Sequence, residues 1–299
     1  MKPIEILSAL PKWSKASAKE LLASPAWALP CKLGDEQCVM RLDATHPADS
    51  IDLAVKIEDE THTLRLPDNP AFEELHKVWE SRAEMPEPIL LAIIEKECGP
   101  LLQLVENAVR RQLKIIGLVK PGEADGAEFI YARISNESGD IATFALTLSP
   151  SIVAVLGEKR NIDTNHPSVR DEVLPAEREF AAFQLPATDA TTLEPGDSLL
   201  LPEIESLSPR LVIDGRFVLA EGSLAAWKDD GLYRVIAAES ETATVGTLMD
   251  AAGGESAEPG AAPKAETPLK LVRMGRTIAS GRLSRVGDQP AFAIDAVLG

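Results

Sequence analysis

Residues 210–224 read RLVIDGRFVLAEGSL, and this stretch decides the fold of the C-terminal half of the chain. Its Asp-Gly pair stands between two apolar runs, which predicts a β-hairpin because a type I′ turn needs positive φ at both central residues. Residues 270–283 read KLVRMGRTIASGRL and repeat the pattern with one residue fewer. Both stretches then pass a polar turn and end in an alternating strand, at 233–236 and 292–295. The matching order predicts two short β-repeats that pair or interlock.

The two repeats supply the candidate core and interface. The alternative interpretation of the repeat is that the similarity arises by chance, because any two hairpins with a Gly-Arg turn align loosely. Apolar residues on the alternating strands are expected to face each other or a partner, and glycines allow tight turns and close strand approach. These candidates are Leu211, Ile213, Gly215, Val218, Gly222, Leu224, Val235, Leu271, Gly275, Ile278, Gly281, Leu283, Phe292 and Ile294.

The chain divides into four predicted segments. Residues 176–242 form a small all-β domain, and residues 268–299 form a partial second repeat. Residues 243–267 are rich in Ala, Gly and Pro, which is typical of a flexible linker. Residues 1–170 mix helical and strand periodicity, so the fold class is α+β, with a mixed α/β N-terminal domain followed by β-repeats.

Within residues 1–170 the clearest helix is predicted over 88–112, where Gly99-Pro100 must kink or split it. Shorter helices are predicted over 14–23, 70–82 and 151–156. Strands are predicted over 38–42, 51–57, 62–66, 113–119, 128–134 and 141–148.

Composition excludes several classes of protein. The chain has 299 residues, of which 45% are apolar, so it can bury a core, and its formal net charge is −17. A strongly acidic chain is a poor binder of nucleic acid or anionic lipid. The longest apolar run, residues 89–94, is far shorter than the roughly 18 residues of a membrane span. We therefore expect no nucleic-acid partner and no direct membrane insertion.

The charge is unevenly distributed. Residues 171–267 carry 19 acids against 6 bases, whereas residues 268–299 carry 2 acids against 5 bases. One interpretation is plain solubility. The other is that the basic tail, with Arg273, Arg276, Arg282 and Arg285, docks on an acidic surface of its own chain or of a partner.

The three cysteines, Cys31, Cys38 and Cys98, form no regular disulfide framework, and the N-terminus has no apolar leader segment. We therefore expect a reducing cytoplasm and buried or idle thiols. Cys31, Cys38 and His46 are weak zinc candidates, because the cysteines lie too far apart and a fourth ligand is missing. No phosphate loop, nucleophile elbow or His-Glu-x-x-His motif is present, so no catalytic, cofactor or metal site is predicted and the chain is expected not to be an enzyme.

Residues 193–201 read LEPGDSLLL. This segment resembles the L-x-P-G-D-x-L-x-L turn and strand of the SPOA (surface presentation of antigens) family, whose following glycine pattern matches residues 212–224. The family occurs in flagellar switch proteins and in the cytoplasmic-ring, or sorting-platform, proteins of type III secretion injectisomes. Residues 86–95, PEPILLAIIE, are similar to the helix that the injectisome members carry before their first SPOA domain.

The resemblance implies a non-enzymatic adaptor, cytoplasmic and peripheral to an inner-membrane secretion apparatus. The implied partners are other SPOA domains, the stalk protein that regulates the export ATPase, the inner-membrane-ring adaptor and chaperone–effector complexes. SPOA domains of this family pair as intertwined dimers. The second repeat here lacks its first strands, so they are expected either to have diverged or to come from another chain.

Three alternatives stay open. A flagellar switch protein is the nearest, but residues 1–10 hold one acid only, unlike the acidic N-terminal peptide of such proteins. The others are a generic β-type oligomerisation module and an enzyme whose catalytic domain is residues 1–170.

Overall fold

A computed structural model describes residues 1–42, 49–120, 123, 127–201, 209–221, 223–254 and 267–298. The chain folds as two compact units. One unit is residues 11–163, and the other combines residues 1–10 with residues 164–299. The structure therefore separates the two units near the predicted end of the N-terminal domain but assigns the first ten residues to the C-terminal unit.

The α-helices of the described chain are α1 (Pro3–Ala9), α2 (Pro11–Lys15), α3 (Ala18–Leu22), α4 (Glu73–Lys77), α5 (Glu87–Glu97), α6 (Gly99–Val109), α7 (Pro150–Leu156), α8 (Pro167–Arg170), α9 (Ala187–Thr191) and α10 (Val245–Gly253). The strands are β1 (Ala28–Leu33), β2 (Glu36–Leu42), β3 (Ser50–Ile57), β4 (Glu60–Pro67), β5 (Leu113–Leu118), β6 (Phe129–Asn136), β7 (Gly139–Thr147), β8 (Val173–Phe183), β9 (Ser198–Leu200), β10 (Arg210–Ile213), β11 (Phe217–Ala220), β12 (Ser223–Ala226), β13 (Tyr233–Ala237), β14 (Glu241–Thr244), β15 (Pro268–Arg273), β16 (Arg276–Val286) and β17 (Gln289–Val297).

The unit of residues 11–163 is an antiparallel sheet with helices packed on it. Its strand order is β1-β2-β6-β7-β4-β3-β5. Alternate residues of β3 point to the core, and Ile51, Leu53, Val55 and Ile57 are all buried. Helix α6 turns its buried residues towards β1 and β5. The predicted break at Gly99-Pro100 is confirmed, because it separates α5 from α6.

The second unit is built on one sheet in the order β12-β11-β10-β8-β13-β15-β16-β17-β9, with β14 also pairing with β8. Strand β8 is central. Residues 176–179 pair with β10 on one side, while β14 and then β13 pair along the other. The mixed α and β content agrees with the predicted α+β class.

Two predictions about elements were wrong in extent. The linker was predicted to begin at residue 243, but β14 and α10 occupy residues 241–253. Helix α10 forms because the Thr244 side chain accepts a hydrogen bond from the Thr247 N–H at 3.1 Å and Gly254 ends the helix with φ 88°. Residues 255–266 lie outside the described residues. The helix predicted over 70–82 is the shorter α4, which begins three residues after Pro70.

The N-terminal helix belongs to the second unit. Ile6, Leu7 and Leu10 are buried, and α1 packs against α10. The Arg216 guanidinium donates a hydrogen bond to the carbonyl oxygen of Ala9, which ties the end of this helix to the turn between β10 and β11. The β-unit therefore depends on residues at the opposite end of the chain.

We expect Ile6→Ala to lower the stability of α10, since removing a buried Ile side chain costs about 2–5 kcal/mol. Hydrogen exchange of residues 245–253 measures this locally, and faster exchange is expected. The matched control is Ile89→Ala, because Ile89 is 53% exposed on α5. Equal exchange in both variants would show that α1 does not support α10.

Candidate assembly module

The two repeats begin with the same turn. Asp214 and Gly215 have φ of 52° and 60°, and Met274 and Gly275 have φ of 48° and 71°. Positive φ at both central residues confirms the hairpins predicted from the repeat. Beside the turn the ladders differ by one residue, because Ile213 lies opposite Phe217 in the first hairpin whereas Arg273 lies opposite Arg276 in the second.

Strand β9, from the LEPGDSLLL segment, crosses to the second repeat. It does not pair with its sequence neighbour β10 but runs antiparallel to β17, with Leu199 opposite Phe292. The Gly196 and Leu201 N–H groups each donate to a β17 carbonyl oxygen at 2.8 Å, and the Ile294 N–H donates to the Asp197 carbonyl at 2.9 Å. The short second repeat is thus completed by a strand of the first repeat in the same chain.

The Pro-Gly-Asp turn sets the direction in which the chain enters β9. Asp197 accepts a hydrogen bond from the Glu194 N–H at 2.8 Å through its carboxylate, and Gly196 has φ 100°. Few residues other than glycine adopt such a φ. The residue types of the motif therefore have a local reason: they close the turn that leads into β9.

The opposite edge of the second repeat pairs with β13 of the first. Val235 lies opposite Leu271, and Arg273 reaches back to Tyr233. The Arg273 guanidinium donates to the Tyr233 hydroxyl at 3.1 Å and lies 4.8 Å from the centre of its ring. The second repeat is therefore held between two strands of the first.

Both repeats contribute to one apolar core. The buried members of this shared core are Phe180, Ala181, Leu201, Tyr233, Val235, Leu269, Leu271, Ala279, Phe292 and Ile294. Because each repeat supplies members of this core, separating the repeats would expose apolar side chains of both to water.

The candidate residues from the sequence fall into three groups. Val235, Leu271, Phe292 and Ile294 lie in the shared core, with Ile278 and Leu283 packed against it. Leu211 and Ile213 are buried in β10, while Val218 and Leu224 are half-buried farther along the same sheet. Gly215 and Gly275 form the turns, and Gly222 lies outside the described residues. The core members that were not among the predicted candidates are Phe180, Ala181, Leu201, Tyr233, Leu269 and Ala279.

Gly281 is required by the close approach of β16 and β17. A Cβ atom at this position would lie 2.0 Å from the Ala293 carbonyl oxygen and 2.9 Å from Cζ of Phe292. The register of the two strands also shifts between Ser280 and Gly281. The repeated glycine therefore has a steric role in the second repeat.

A buried ion network joins three strands of the first repeat. The carboxylate of Glu179 in β8 is 1% exposed. It accepts hydrogen bonds from Arg210 of β10 at 2.9 Å and from Arg234 of β13 at 2.8 Å. Arg234 also donates to Asp230 and lies over the ring of Trp227. This network could not be predicted from the sequence, because the three strands that carry it are distant along the chain.

The basic tail is held mainly by strand pairing and the shared core. Arg282 lies 3.8 Å from Asp295 of its own repeat, and Arg273 contacts uncharged groups of the first. Within the described part of the chain, Arg276 and Arg285 form no ion pair. Strand pairing and apolar packing attach the tail to the first repeat, and the distribution of charge along the sequence did not predict this.

Two sheet edges have an open side among the described strands. They are β12 at one end of the order and β9 at the other. Beside β9, Leu200 and Val286 are each at least half exposed. Leu200 lies opposite Ala291, which in turn lies opposite Ser284. Val286 is two residues after Ser284, so the pleat places Leu200 and Val286 on the same face of the sheet.

The N-terminal unit contains a buried histidine, His62. Its Nε2 lies 3.4 Å from a Glu60 carboxylate oxygen, and its Nδ1 lies 3.4 Å from the Thr147 hydroxyl. The Nε2 atom is inaccessible to solvent. A ring nitrogen in this position cannot reach a substrate at the surface without local opening, which favours a structural role.

No group of metal-ligating side chains was found in the described ranges. Likewise, no helix among the described residues is long and apolar enough to cross a membrane. No protein-family model matches the chain, and a search of curated proteins returned no match.

We expect Gly281→Ala to destabilise the second unit by about 1–3 kcal/mol, because the added methyl group overlaps backbone atoms of β17. Urea unfolding measures the change. Gly253→Ala is the matched control, since a Cβ there meets no atom within 4 Å. Equal stability of the two variants would contradict the close packing of β16 on β17.

We expect Glu179→Gln to cost about 3–5 kcal/mol, since it removes the buried negative charge that Arg210 and Arg234 share. Glu241→Gln is the control, because its partner Arg178 is partly exposed; here the loss should stay below about 1 kcal/mol. The Arg178 hydrogen bond holds the pKa of Glu241 below its ordinary value. The control is therefore measured at pH 7, where Glu241 of the wild-type protein is ionised in both the folded and the unfolded state. Similar losses in both variants would contradict the central role of Glu179.

Proposed function

We propose that the chain is a structural adaptor of a type III secretion cytoplasmic ring, or sorting platform, built on SPOA-type repeats. The observation that best supports this proposal is that β9 crosses from the first repeat to the second. A motif that resembles the SPOA strand leaves its own repeat and completes the other, as intertwined pairing of SPOA domains would require. The placement of both repeats in one sheet agrees with that arrangement.

Pairing has a clear physical benefit for such small β-units. An isolated second repeat of three strands would expose two open edges and its apolar face to water. Strands β9 and β13 cover those edges, and the shared core buries the face. Because this pairing is completed within one chain, partners must use surfaces that remain free.

The free side of β9 fits a partner that adds an extended strand. No described strand pairs with its backbone groups on that side, and the exposed Leu200 lies beside them. On the proposed function, this edge receives the stalk protein that regulates the export ATPase. The inner-membrane-ring adaptor and chaperone–effector complexes are further proposed partners.

Affinity purification of the tagged full-length protein from its own cells, with mass spectrometry of the co-purified proteins, tests the proposal. We expect an export ATPase and its stalk regulator. Leu200→Lys should lower their recovery at least tenfold, since it places a charge beside the β9 edge. Val173→Lys is the matched control, because Val173 is 62% exposed on β8 of the same unit.

Other outcomes point elsewhere. Recovery of flagellar motor components would assign the chain to a switch complex, and recovery of further copies alone would indicate a generic oligomerisation module. If the expected partners appear but Leu200→Lys recovers them as well as Val173→Lys does, the sorting-platform function stands and the β9 edge is not the contact.

A further inference from the structure

The β1–β2 hairpin brings two cysteines together. The strands join through Gly34 and Asp35, and counting back from this turn places Cys31 directly opposite Cys38. Opposed residues in antiparallel strands have Cα atoms about 4.5–5.5 Å apart. This lies within the range of about 4.4–6.8 Å found for disulfides, and side chains of opposed residues point to the same face. We propose that Cys31 and Cys38 form a redox-controlled disulfide, a modification site independent of the proposed assembly function.

The surroundings make one of the two thiols accessible. Cys31 is half-buried and lines an open cleft of about 350 Å³ between β1 and α6, together with Leu104, Asn107 and Ala108. Cys38 is only 4% exposed. A small oxidant therefore reaches Cys31 first, and Cys38 is the resolving thiol.

Thiol–disulfide exchange gives a balanced reaction. The Cys31 thiolate attacks a low-molecular-mass disulfide, forms a mixed disulfide and releases one thiolate. The Cys38 thiolate then attacks Sγ of Cys31 and releases the second thiolate. The two cysteines lose two electrons and two protons, and the small disulfide becomes two thiols. An excess of a dithiol reverses the reaction.

The surroundings of Cys31 slow the oxidation of this pair. Burial raises the pKa of the Cys31 thiol to about 11, and the neighbouring Cys38 adds to this effect. Thiolate is therefore scarce at neutral pH, and exchange is slow. Oxidation would fasten the edge strand β1 to β2 beneath α6.

The third cysteine provides a control. Cys98 is fully buried between α5 and α6, and burial raises the pKa of its thiol to about 12. It is not opposite another cysteine in any strand pair. The proposal therefore predicts that exactly two of the three thiols react as a pair.

Tryptic mapping of the full-length chain tests the proposal. The protein is treated with excess oxidised glutathione at pH 8, free thiols are alkylated in acid, and the protein is digested without reductant. Trypsin cleaves after Lys32, so residues 20–32 and 33–41 stay joined only if Cys31 and Cys38 are linked. We expect a linked pair two hydrogens lighter than the separate peptides, which dithiothreitol releases.

Variants make the result specific. C98S should give the same linked pair, whereas C38S should carry glutathione on Cys31 and give none. The proposal is overturned if wild type carries glutathione on Cys31 without linkage, or if either cysteine links to Cys98. An equal mixture of ¹⁵N-labelled and unlabelled protein must give linked peptides of one label only, and mixed pairs would overturn an intrachain bond.

Discussion

The outer edge of β17 needs a hydrogen-bonding neighbour, and β9 from the other repeat supplies it. A backbone N–H or C=O group that is buried without a hydrogen-bond partner lowers the stability of the fold. The β9–β17 ladder and the three further bonds between residues 196–201 and β17 satisfy this edge, and they hold Leu199 and Leu201 against the shared core. Without β9, Phe292 and Ile294 would lose their cover, so the second repeat depends on the first for both hydrogen bonds and apolar contacts.

Strand β8 is the second constraint, because it carries a charge where a sheet normally buries apolar residues. Glu179 is opposite Arg210 in one neighbouring strand and bonded to Arg234 in the other. A slip of either strand by one residue would turn its arginine to the other face and remove one of the two partners of the buried carboxylate. The ion network therefore fixes the register of β10 and β13, even though its net contribution to stability is smaller than the cost of breaking it.

Local features of the sequence predicted the local structure well. The Asp-Gly pair predicted a hairpin, and the repeat extended this prediction to Met274-Gly275. The crossing of β9 could not be predicted in this way, since the motif defines a strand but not its neighbour. Helix α10 and the Cys31–Cys38 register were within reach: Thr244, Thr247 and Gly254 are cap residues, and the cysteines are symmetric about Gly34-Asp35. Both were missed because residues 243–267 were interpreted by composition and the cysteines by spacing alone.

Joining both repeats in one chain changes what pairing can do. Pairing of separate chains depends on their concentration, whereas pairing of two repeats within one chain does not. The intrachain pair occupies the edges of β15 and β17 that another chain would need. Among the described strands, β9 and β12 have an open side, so a strand added by another chain would have to pair there. These two edges belong to opposite ends of the sheet order and differ in sequence, so a contact between them on successive copies would be heterologous, the type of interface that builds rings or filaments instead of closed dimers.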